Sequence, residues 1–519
     1  MAVLWSASRD WRVDRPPVIE GVAVFPDWVS HQAQSKAGHT ALVVDGKKWT
    51  FVELDAAVSS LSRKLATLGV GSGDRVATLL NNSFEMAVLP HATLRLGATL
   101  VPLNIRLSER ELTWQLADSA PRLLVVDNRT RERAMAALSR HASVTVLATD
   151  ELSGIAESTV EPQVKHDSAA VLAIIYTSGT TGRPKGAMLT VSNFWWSAVG
   201  SALNLGMQAD DRWIVCMPLF HVGGLSILIR SAIYGITAVV FDGFDERAVN
   251  SAIDDGATMV SVVATMLERM LNQRNARTYP PTLRCVLLGG GPAPVSLLER
   301  CASLSVPVIQ TYGLTETCSQ AVTLSPSEAA GRHGAAGTVL YPNEVRIEPS
   351  PGISPDDTAG EILVRGPIVM AGYLGQPDAT SNAMRGGWLH TGDIGRLDDE
   401  GYLYVLDRRD DLIVTGGENV YPAEVEAVLF SHPFVAEAGV IGISDSKWGQ
   451  RVVAITRLSR LSEGPAPDAA NLDAYCRARL AGYKIPKEFR FVSAPLPRTA
   501  SGKLRRSELR DLTGDTEPS

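Results

Sequence analysis

The sequence has few cysteines, no hydrophobic run long enough to cross a membrane, and no excess of positive charge. Its five cysteines are odd in number and form no C-x-x-C pair, which argues against a disulfide scaffold or a cysteine zinc site and predicts reduced, buried thiols. The most lipophilic run, residues 225–241, is interrupted by Arg230 and is shorter than the ~20 residues of a membrane span. A net charge of −7 gives no global attraction for nucleic acid or an anionic bilayer.

What is present is an ordinary globular composition. The chain has 519 residues, of which 45% are hydrophobic and 20% charged, so it can bury a sizeable core. At ~100–200 residues per domain, this length predicts several folding units or one large domain with an appendage. Arg9, Arg12 and Arg15 are not followed by an apolar segment, so we predict no signal peptide and expect a cytoplasmic protein.

The first part of the chain alternates strand and helix patterns. A hairpin is predicted over residues 41–51 with its turn at Asp45-Gly46, followed by an amphipathic helix over 54–68. Residues 75–103 have the pattern of a strand, a helix and a second strand. We therefore predict an α/β fold in which sheets are flanked by helices.

A smaller α+β unit is predicted after the charge cluster at residues 407–411, which is a plausible exposed hinge. Its predicted elements are a helix (423–429), two strands (438–443 and 452–458), a helix (472–480) and a strand (489–492). The predicted organisation is an N-terminal extension (1–24), a large domain (25–409) and a small, mobile C-terminal domain (410–519). Residues 477–510 carry ten Lys or Arg and two Asp or Glu, either as a solvated basic face or as a lip that attracts phosphates.

A segment rich in glycine and hydroxyl groups follows the predicted strand at 170–175. Residues 176–186 read Tyr-Thr-Ser-Gly-Thr-Thr-Gly-Arg-Pro-Lys-Gly. Glycines let backbone N–H groups approach an anion, hydroxyls add donors, and Lys185 adds a full positive charge. Because Pro184 precedes Lys185 and Gly186 follows it, the segment is not the G-x-x-x-x-G-K-[ST] loop of P-loop enzymes. We predict a phosphate-binding loop; a flexible polar turn is the alternative.

Three further segments carry residues suited to a nucleotide. Glu316 follows the predicted strand 306–312 and could hold Mg²⁺. Gly289–Gly291 follow the strand 284–288, where a backbone without side chains would let a flat ring lie close. Asp393 can accept two hydrogen bonds. The alternatives are a surface glutamate, a simple strand-to-helix turn and an N-cap or turn aspartate.

These motifs resemble those of the adenylate-forming superfamily, which includes acyl-CoA synthetases, luciferases and the adenylation domains of peptide synthetases. The resemblance covers about residues 25–509. Besides the phosphate-binding loop, six motifs occur in the expected order: Pro218-Leu219-Phe220-His221, Gly289-Gly290-Gly291-Pro292, Tyr312-Gly313-Leu314-Thr315-Glu316, Thr391-Gly392-Asp393, Arg408 with Asp410, and Pro497-Arg498-Thr499-Ala500-Ser501-Gly502-Lys503.

The resemblance implies an acid:CoA ligase that uses ATP, Mg²⁺ and CoA. The acid attacks the α-phosphorus of ATP to give an acyl-adenylate and pyrophosphate, and CoA then displaces AMP. The implied catalytic residues are Thr177, His221, Glu316 and Lys503, with the metal at Glu316 and Thr181 and the hinge at Asp410. The residues implied to contact the nucleotide or CoA are Thr177, Ser178, Gly179, Thr180, Thr181, Gly182, Lys185, Gly289, Gly290, Gly291, Tyr312, Gly313, Thr315, Asp393, Arg408, Gly416 and Gly417.

Residues 213–235, 260–270, 283–294 and 310–326 resemble in particular the o-succinylbenzoate:CoA ligases of menaquinone biosynthesis. Such a substrate is a dicarboxylate, so the carboxylate that is not activated needs a partner inside the pocket. The candidates are polar residues in or near the acyl-pocket motifs, each of which could instead be a surface or packing residue: His221, Ser226, Arg230, Thr265, Ser319 and Gln320.

Two other functions compete with this interpretation. One is a CoA ligase for a fatty or aromatic acid, and the other is a non-catalytic sensor that binds an acyl-nucleotide. The sensor would be expected to have lost Lys503 or Glu316, and the sequence has both. The predicted partners are small molecules, with no nucleic acid and no stable membrane insertion, and a homodimer is one option for the assembly.

Overall fold

The computed structural model describes residues 24–138, 144–177, 184–275, 277–291, 293, 295–329, 331–332, 334–349, 359–407, 413–420, 422–459, 467–497, 504 and 506–512. Residues up to 407 form what we call the large lobe, and residues from 413 onward form the small lobe. The predicted domain boundary at 409/410 lies outside the described residues and stays a prediction.

The described residues form strands and helices that we number in chain order. The strands are β1 (Val24–Pro26), β2 (Thr40–Val44), β3 (Lys47–Thr50), β4 (Arg75–Leu79), β5 (Thr99–Pro102), β6 (Leu123–Val126), β7 (Thr145–Ala148), β8 (Lys165–Asp167), β9 (Val171–Thr177), β10 (Lys185–Thr190), β11 (Arg212–Val215), β12 (Thr237–Val240), β13 (Met259–Val262), β14 (Cys285–Leu288), β15 (Val308–Tyr312), β16 (Val322–Thr323), β17 (Thr338–Val339), β18 (Glu344–Pro349), β19 (Gly360–Arg365), β20 (Met384–Arg385), β21 (Trp388–Leu397), β22 (Leu403–Asp407), β23 (Ile413–Thr415), β24 (Glu418–Val420), β25 (Val435–Asp445), β26 (Gly449–Leu458) and β27 (Glu488–Phe491). The helices are α1 (Trp28–Ser35), α2 (Phe51–Thr67), α3 (Phe84–Leu94), α4 (Glu109–Ser119), α5 (Arg131–Leu138), α6 (Val191–Leu205), α7 (Val222–Tyr234), α8 (Glu246–Asp254), α9 (Ala264–Arg274), α10 (Val295–Ser303), α11 (Pro377–Ala383), α12 (Pro422–Phe430), α13 (Ala469–Arg477) and α14 (Arg506–Asp511), with 3₁₀ turns at Thr149–Gly154 and Thr315–Thr317.

Two large sheets with mainly parallel strands form the centre of the large lobe. Their strand orders are β10-β9-β5-β4-β6-β7 and β17-β16-β15-β14-β13-β11-β12-β2-β3. Strands β4 and β5 are parallel and α3 connects them, which confirms the predicted strand–helix–strand unit. The predicted hairpin is present as β2 and β3, and its turn residues Asp45 and Gly46 have φ angles of 50° and 76°. The α/β class is thus confirmed.

Besides a two-stranded sheet of β1 and β8, the large lobe contains a third large sheet, which the sequence patterns did not predict. Strands β18, β19, β21 and β20 pair in that order, and β22 pairs with β21, all in antiparallel register. This sheet carries the Thr391-Gly392-Asp393 motif on β21 and brings it beside the parallel sheet that carries the other motifs.

The small lobe has the predicted α+β composition. Its sheet has the order β24-β23-β26-β25, with β27 pairing with β26, and α12 and α14 pack on β25. The helices and strands predicted after residue 422 are present within a few residues of their expected bounds. The two short strands β23 and β24, which flank Gly416 and Gly417, were not predicted.

The five cysteines are free and buried, as expected from their spacing. Among the described residues, no helix has the length and apolar character needed to span a membrane. Of the basic side chains in residues 477–510, Arg477, Lys484, Arg490 and Arg506 each contact a carboxylate. Ion pairs therefore offset part of that charge.

A buried ion-pair network connects the beginning of the large lobe to its central helices. Arg95, which is 2% exposed, donates to Asp27 at 2.6 Å and to Asp55 at 2.5 Å. Burial is the largest single effect on the pKa of Asp27 and raises it, but the bonds from His166 and Arg95 outweigh burial and hold the pKa well below its usual range. Asp27 caps α1, Asp55 lies in α2, and Arg95 is the residue that follows α3. The guanidinium of Arg95 therefore connects α1 and α2 to the end of α3.

We expect Arg95→Met to destabilise the protein by about 3–5 kcal/mol, because it leaves the buried Asp27 without its cation. The measurement is the thermal unfolding midpoint by calorimetry. The control is Arg63→Met, because Arg63 pairs with Glu157 at the surface, where an ion pair contributes about 0–1 kcal/mol. Equal shifts in the two variants would show that the buried network is not a stabilising element.

Candidate active site

The predicted site segments follow neighbouring parallel strands of the nine-stranded sheet. Strands β11, β13, β14 and β15 are adjacent and parallel, so their carboxyl ends lie at one edge. In open α/β sheets, this edge is where ligands bind. The segments that begin at this edge include His221 after β11, Thr265 after β13, Gly289–Gly291 after β14 and Thr315-Glu316 after β15.

The predicted phosphate-binding loop connects two antiparallel strands. Thr177 at the end of β9 pairs with Lys185 at the start of β10. A P-loop connects a strand to a helix, so this geometry agrees with the earlier conclusion that the segment is a different kind of loop. Ser178, Gly179, Thr180, Thr181 and Gly182 lie outside the described residues, and their contacts with phosphate stay predictions.

Glu316, in the 3₁₀ turn after β15, lies near Tyr373, Lys185 and Asp393. Its Oε1 atom accepts a hydrogen bond of 2.8 Å from the hydroxyl of Tyr373, and the Nζ atom of Lys185 lies 5.0 Å from the centre of the Tyr373 ring. Burial raises the pKa of Glu316, with a smaller contribution from Asp393, while Tyr373 and Lys185 oppose the rise. A cation bound here would favour the ionised carboxylate, so Glu316 fits the chemistry of a Mg²⁺ ligand.

Asp393 reaches the same region from the third sheet. It is 6% exposed and lies in β21, which excludes the N-cap alternative, and its Oδ2 atom accepts a hydrogen bond of 2.8 Å from the Tyr312 hydroxyl. The preceding N–H of Gly392 donates to Glu361 at 2.8 Å. These contacts hold the Thr391-Gly392-Asp393 segment against the end of β15.

Two glycines of the predicted nucleotide site are required by the backbone. A Cβ atom on Gly313 would lie 1.6 Å from the carbonyl oxygen of Ser319, so no larger residue fits between β15 and the turn at Thr315–Thr317. Gly290 has a φ angle of 80°, a conformation that favours glycine. The turn that places Thr315 and Glu316 therefore depends on the close approach at Gly313.

Arg230 is a buried cation without an acidic partner in the described part of the chain. It is 2% exposed, its Nη2 atom donates to Ser197 Oγ at 2.8 Å, and its Nε atom has no hydrogen-bond partner. Burial lowers the pKa of Arg230. Ser197 in turn donates to the carbonyl oxygen of Cys318 at 2.8 Å, which brings α6, α7 and the Cys318 turn together around the guanidinium.

Two of the other predicted acyl-pocket residues, Ser226 and Gln320, are buried, and Thr265 faces the small lobe. Ser226 is buried one turn before Arg230 and donates to Gly223. Gln320 is buried, and its Oε1 atom has no hydrogen-bond partner. Thr265 instead faces the small lobe, since a Cβ atom on Gly449 would lie 3.1 Å from its methyl group. Of the six candidates, Arg230 is the one with a buried charge that has no oppositely charged partner among the described residues.

The two lobes meet at Glu418, which directly follows Gly416 and Gly417. Glu418 is 2% exposed, and it contacts His221 Nε2 at 3.1 Å, Arg106 Nη1 at 2.8 Å and Asn104 Nδ2 at 3.2 Å, all in the large lobe. Burial is the largest effect on the pKa of Glu418 and raises it, but these three partners together lower the pKa. The carboxylate of Glu418 is therefore favoured in its ionised form in this arrangement of the lobes, which we call the docked arrangement.

Sequence reasoning missed several residues that support the site. Ser197, Arg106, Tyr373 and Glu361 act through contacts with residues distant in the chain, and no local pattern marks them. Glu418, which follows the two glycines predicted to face CoA, belongs to the same predicted segment. Arg408, Asp410 and Lys503 lie outside the described residues, so their roles stay predictions.

Comparison with known proteins agrees with this geometry. The family profile described as AMP-binding enzyme matches residues 29–374, and the profile described as AMP-binding enzyme C-terminal domain matches residues 424–503. The 2-succinylbenzoate--CoA ligase of Geobacillus kaustophilus is 48% identical over 498 residues, which cover 96% of this chain and 99% of the relative. The ligase of the same name from Geobacillus sp. (strain WCH70) is 46% identical over 495 residues, covering 95% and 98%.

Solved structures of o-succinylbenzoate CoA synthetase from Bacillus subtilis also match. A double mutant bound to the product analogue OSB-NCoA has a TM-score of 0.88 at 44% identity, covering 94% of this chain and 99% of that chain. The same synthetase in complex with the acyl-adenylate intermediate OSB-AMP has a TM-score of 0.72, and in complex with ATP and magnesium ion also 0.72. The two profiles and the near full-length identity agree with the order of the motifs and with their position at one edge of the sheet. The chain belongs to the AMP-binding enzyme family.

Proposed function

We propose that the protein is an ATP-dependent acid:CoA ligase that converts o-succinylbenzoate, ATP and CoA into o-succinylbenzoyl-CoA, AMP and pyrophosphate. The observation that carries this proposal is the 48% identity to a 2-succinylbenzoate--CoA ligase over 96% of the chain. The reaction has two steps: a carboxylate oxygen attacks the α-phosphorus and releases pyrophosphate, and the thiol sulfur of CoA then attacks the acyl carbon and releases AMP.

The first step brings two anions together, so charge must be neutralised. Lys185 and the backbone of the loop at 178–183 would hold the phosphates, Asp393 would accept from the ribose, and Glu316 with Thr181 would hold Mg²⁺. The metal supplies positive charge to the phosphate oxygens. Lys503 would bridge the acid and the α-phosphate when the small lobe presents it.

The second step suits the docked arrangement. In this arrangement, Gly416 and Gly417 lie at the lobe contact, where residues without side chains would leave room for the narrow thiol arm of CoA. The higher TM-score to the complex with the CoA-product analogue, 0.88 against 0.72 for the adenylate complex, supports the same assignment. His221 connects the proposed acyl site to the lobe contact. It follows β11 at the edge where the acyl group is proposed to bind, and its Nε2 atom contacts Glu418 of the small lobe.

The burial of Arg230 without a carboxylate partner among the described residues supports a substrate with two carboxylates. A buried guanidinium without a carboxylate partner has a high desolvation cost, and a substrate carboxylate would compensate for it. Ser197, Ser319 and Gln320 supply further polar groups nearby in the fold. A monocarboxylic acid would leave Arg230 unpaired, so the pocket favours an acid with two carboxylates.

We expect CoA-dependent AMP release to be fastest with o-succinylbenzoate in a panel that includes medium-chain fatty acids and plain benzoate. Pyrophosphate release, measured with and without CoA, separates the two steps. Faster turnover of a fatty acid or of benzoate would overturn the substrate assignment and leave the ligase assignment in place. Failure of every acid to support pyrophosphate–ATP exchange would overturn both.

We expect Arg230→Met to raise the KM for o-succinylbenzoate at least about thirtyfold, because it removes one partner of a buried charge pair in the complex. Two analogues that each lack one carboxyl group, 2-propanoylbenzoate and 4-oxo-4-phenylbutanoate, are assayed alongside. The analogue without the recognised carboxylate should have the same KM in the variant and in the wild type.

The control for this variant is Arg274→Met. Arg274 is also buried, but it pairs with Asp254 at 2.7 Å, so its loss should lower the unfolding midpoint without changing the preference among acids. Arg230→Met should leave the midpoint of the free protein unchanged or raise it, since no carboxylate loses its partner. Equal changes in the KM for o-succinylbenzoate and in the KM for the analogue without the recognised carboxylate would contradict a direct role of Arg230.

A cytoplasmic location, a homodimer and the domain boundary at 409/410 stay predictions from the sequence.

A further inference from the structure

A second ionic contact joins the lobes in addition to the contacts of Glu418. Glu111 in α4 of the large lobe is 9% exposed, and its Oε1 atom lies 2.5 Å from Nζ of Lys484 in the small lobe. Lys484 is 2% exposed and also contacts Glu424 of α12 at 2.8 Å. The ammonium group thus lies between a carboxylate of its own lobe and a carboxylate of the other lobe.

The two oxygens of Glu111 have different partners. Its Oε2 atom accepts from the N–H of Ser108 at 2.8 Å and from the Ser108 hydroxyl at 2.7 Å, which is the capping box at the start of α4. Its Oε1 atom forms an ion pair with the ammonium group of Lys484. The helix cap lies wholly within the large lobe, whereas the contact with Lys484 exists only while the lobes are docked.

The contact is also shielded from water only in the docked arrangement. The Ser108 hydroxyl oxygen also lies 3.3 Å from the carbonyl oxygen of Arg479, so α4 meets the small lobe at two adjacent points. Separation of the lobes would leave Lys484 with Glu424 and expose Glu111 to solvent. A change that affects only the charge of Glu111 therefore changes the free energy of the docked arrangement more than that of any other arrangement.

We propose that Glu111 is a positioning residue for thioester formation, which acts by holding Lys484 and so stabilising the docked arrangement. The proposal rests on the proposed function, because it assigns that arrangement to the second half-reaction. Glu111 is not a catalytic residue: its contacts are to Ser108 and Lys484, and it lies in α4, outside the segments at the edge of the nine-stranded sheet. Its influence on rate comes through the population of the docked arrangement.

The test variant is Glu111→Gln, because glutamine keeps the length of the side chain and can retain the capping box while losing the charge. The chain offers a matched control at α2, where Glu53 caps with Thr50 through bonds of 2.8 Å and 2.8 Å at an exposed position in the large lobe. Glu53→Gln changes the same type of cap without a contact to the small lobe.

Two half-reactions are measured for each variant. Adenylation is followed by pyrophosphate–ATP exchange with o-succinylbenzoate, and thioester formation is followed by single turnover of supplied acyl-adenylate with CoA. We expect Glu111→Gln to slow thioester formation about five- to fiftyfold, the usual range of a conformational coupling, and to leave adenylation within about twofold of wild type. Glu53→Gln should leave both rates unchanged, and Lys503→Ala should lose adenylation and retain thioester formation.

A readout without substrate separates this proposal from the proposed function. The native cysteines are buried, so Met135→Cys in α5 and Phe430→Cys in α12, which replace side chains that are 53% and 45% exposed, can carry a fluorophore pair. Energy transfer between the lobes should show a smaller docked population in Glu111→Gln than in wild type or Glu53→Gln.

Equal docked populations in Glu111→Gln and wild type would overturn the proposal, as would equal losses in the two half-reactions. Absence of exchange in the wild type with every acid would overturn the proposed function, while the energy-transfer result would still decide whether Glu111 holds the lobes.

Discussion

The buried carboxylate of Glu418 is the constraint on which the docked arrangement depends. The side chain belongs to the small lobe, but His221, Arg106 and Asn104 of the large lobe supply the charge and the hydrogen bonds that keep it ionised in a buried position. An ionised carboxylate is costly to bury without such partners. The lobes must therefore meet in the register that brings these groups together, and that register also places Gly416 and Gly417 at the contact.

The same electrostatic principle organises the rest of the site. Asp393 lies close enough to Glu316 to raise the pKa of Glu316, while Lys185 opposes the rise, and this balance suits a region that must accept both a metal ion and phosphates. Arg230 is the reverse case, a cation for which the described residues provide no anion. The positive charge of Arg230 therefore indicates that the substrate supplies a negatively charged group at this position.

Much of the fold was predictable because its signals are local. The period of apolar residues marked α2, and Asp45-Gly46 marked the hairpin between β2 and β3. The third sheet was not predicted, because its strand β20 has two residues and α11 separates β19 from β21, so no short hairpin signal marks their pairing. Strands β23 and β24 have three residues each, too few for a periodic pattern to be distinguished from a loop.

The sequence by itself determined the family chemistry. The glycines, hydroxyls, carboxylates and lysines of the motifs occur in a fixed order along the chain, and this order can be recognised without coordinates. It could not show that Ser197 bonds Arg230, that Tyr373 bonds Glu316, or that Glu111 reaches Lys484 across 373 residues of chain. Only the tertiary structure decided those contacts, because a hydrogen bond depends on atoms within about 3 Å in space, whatever their separation in sequence.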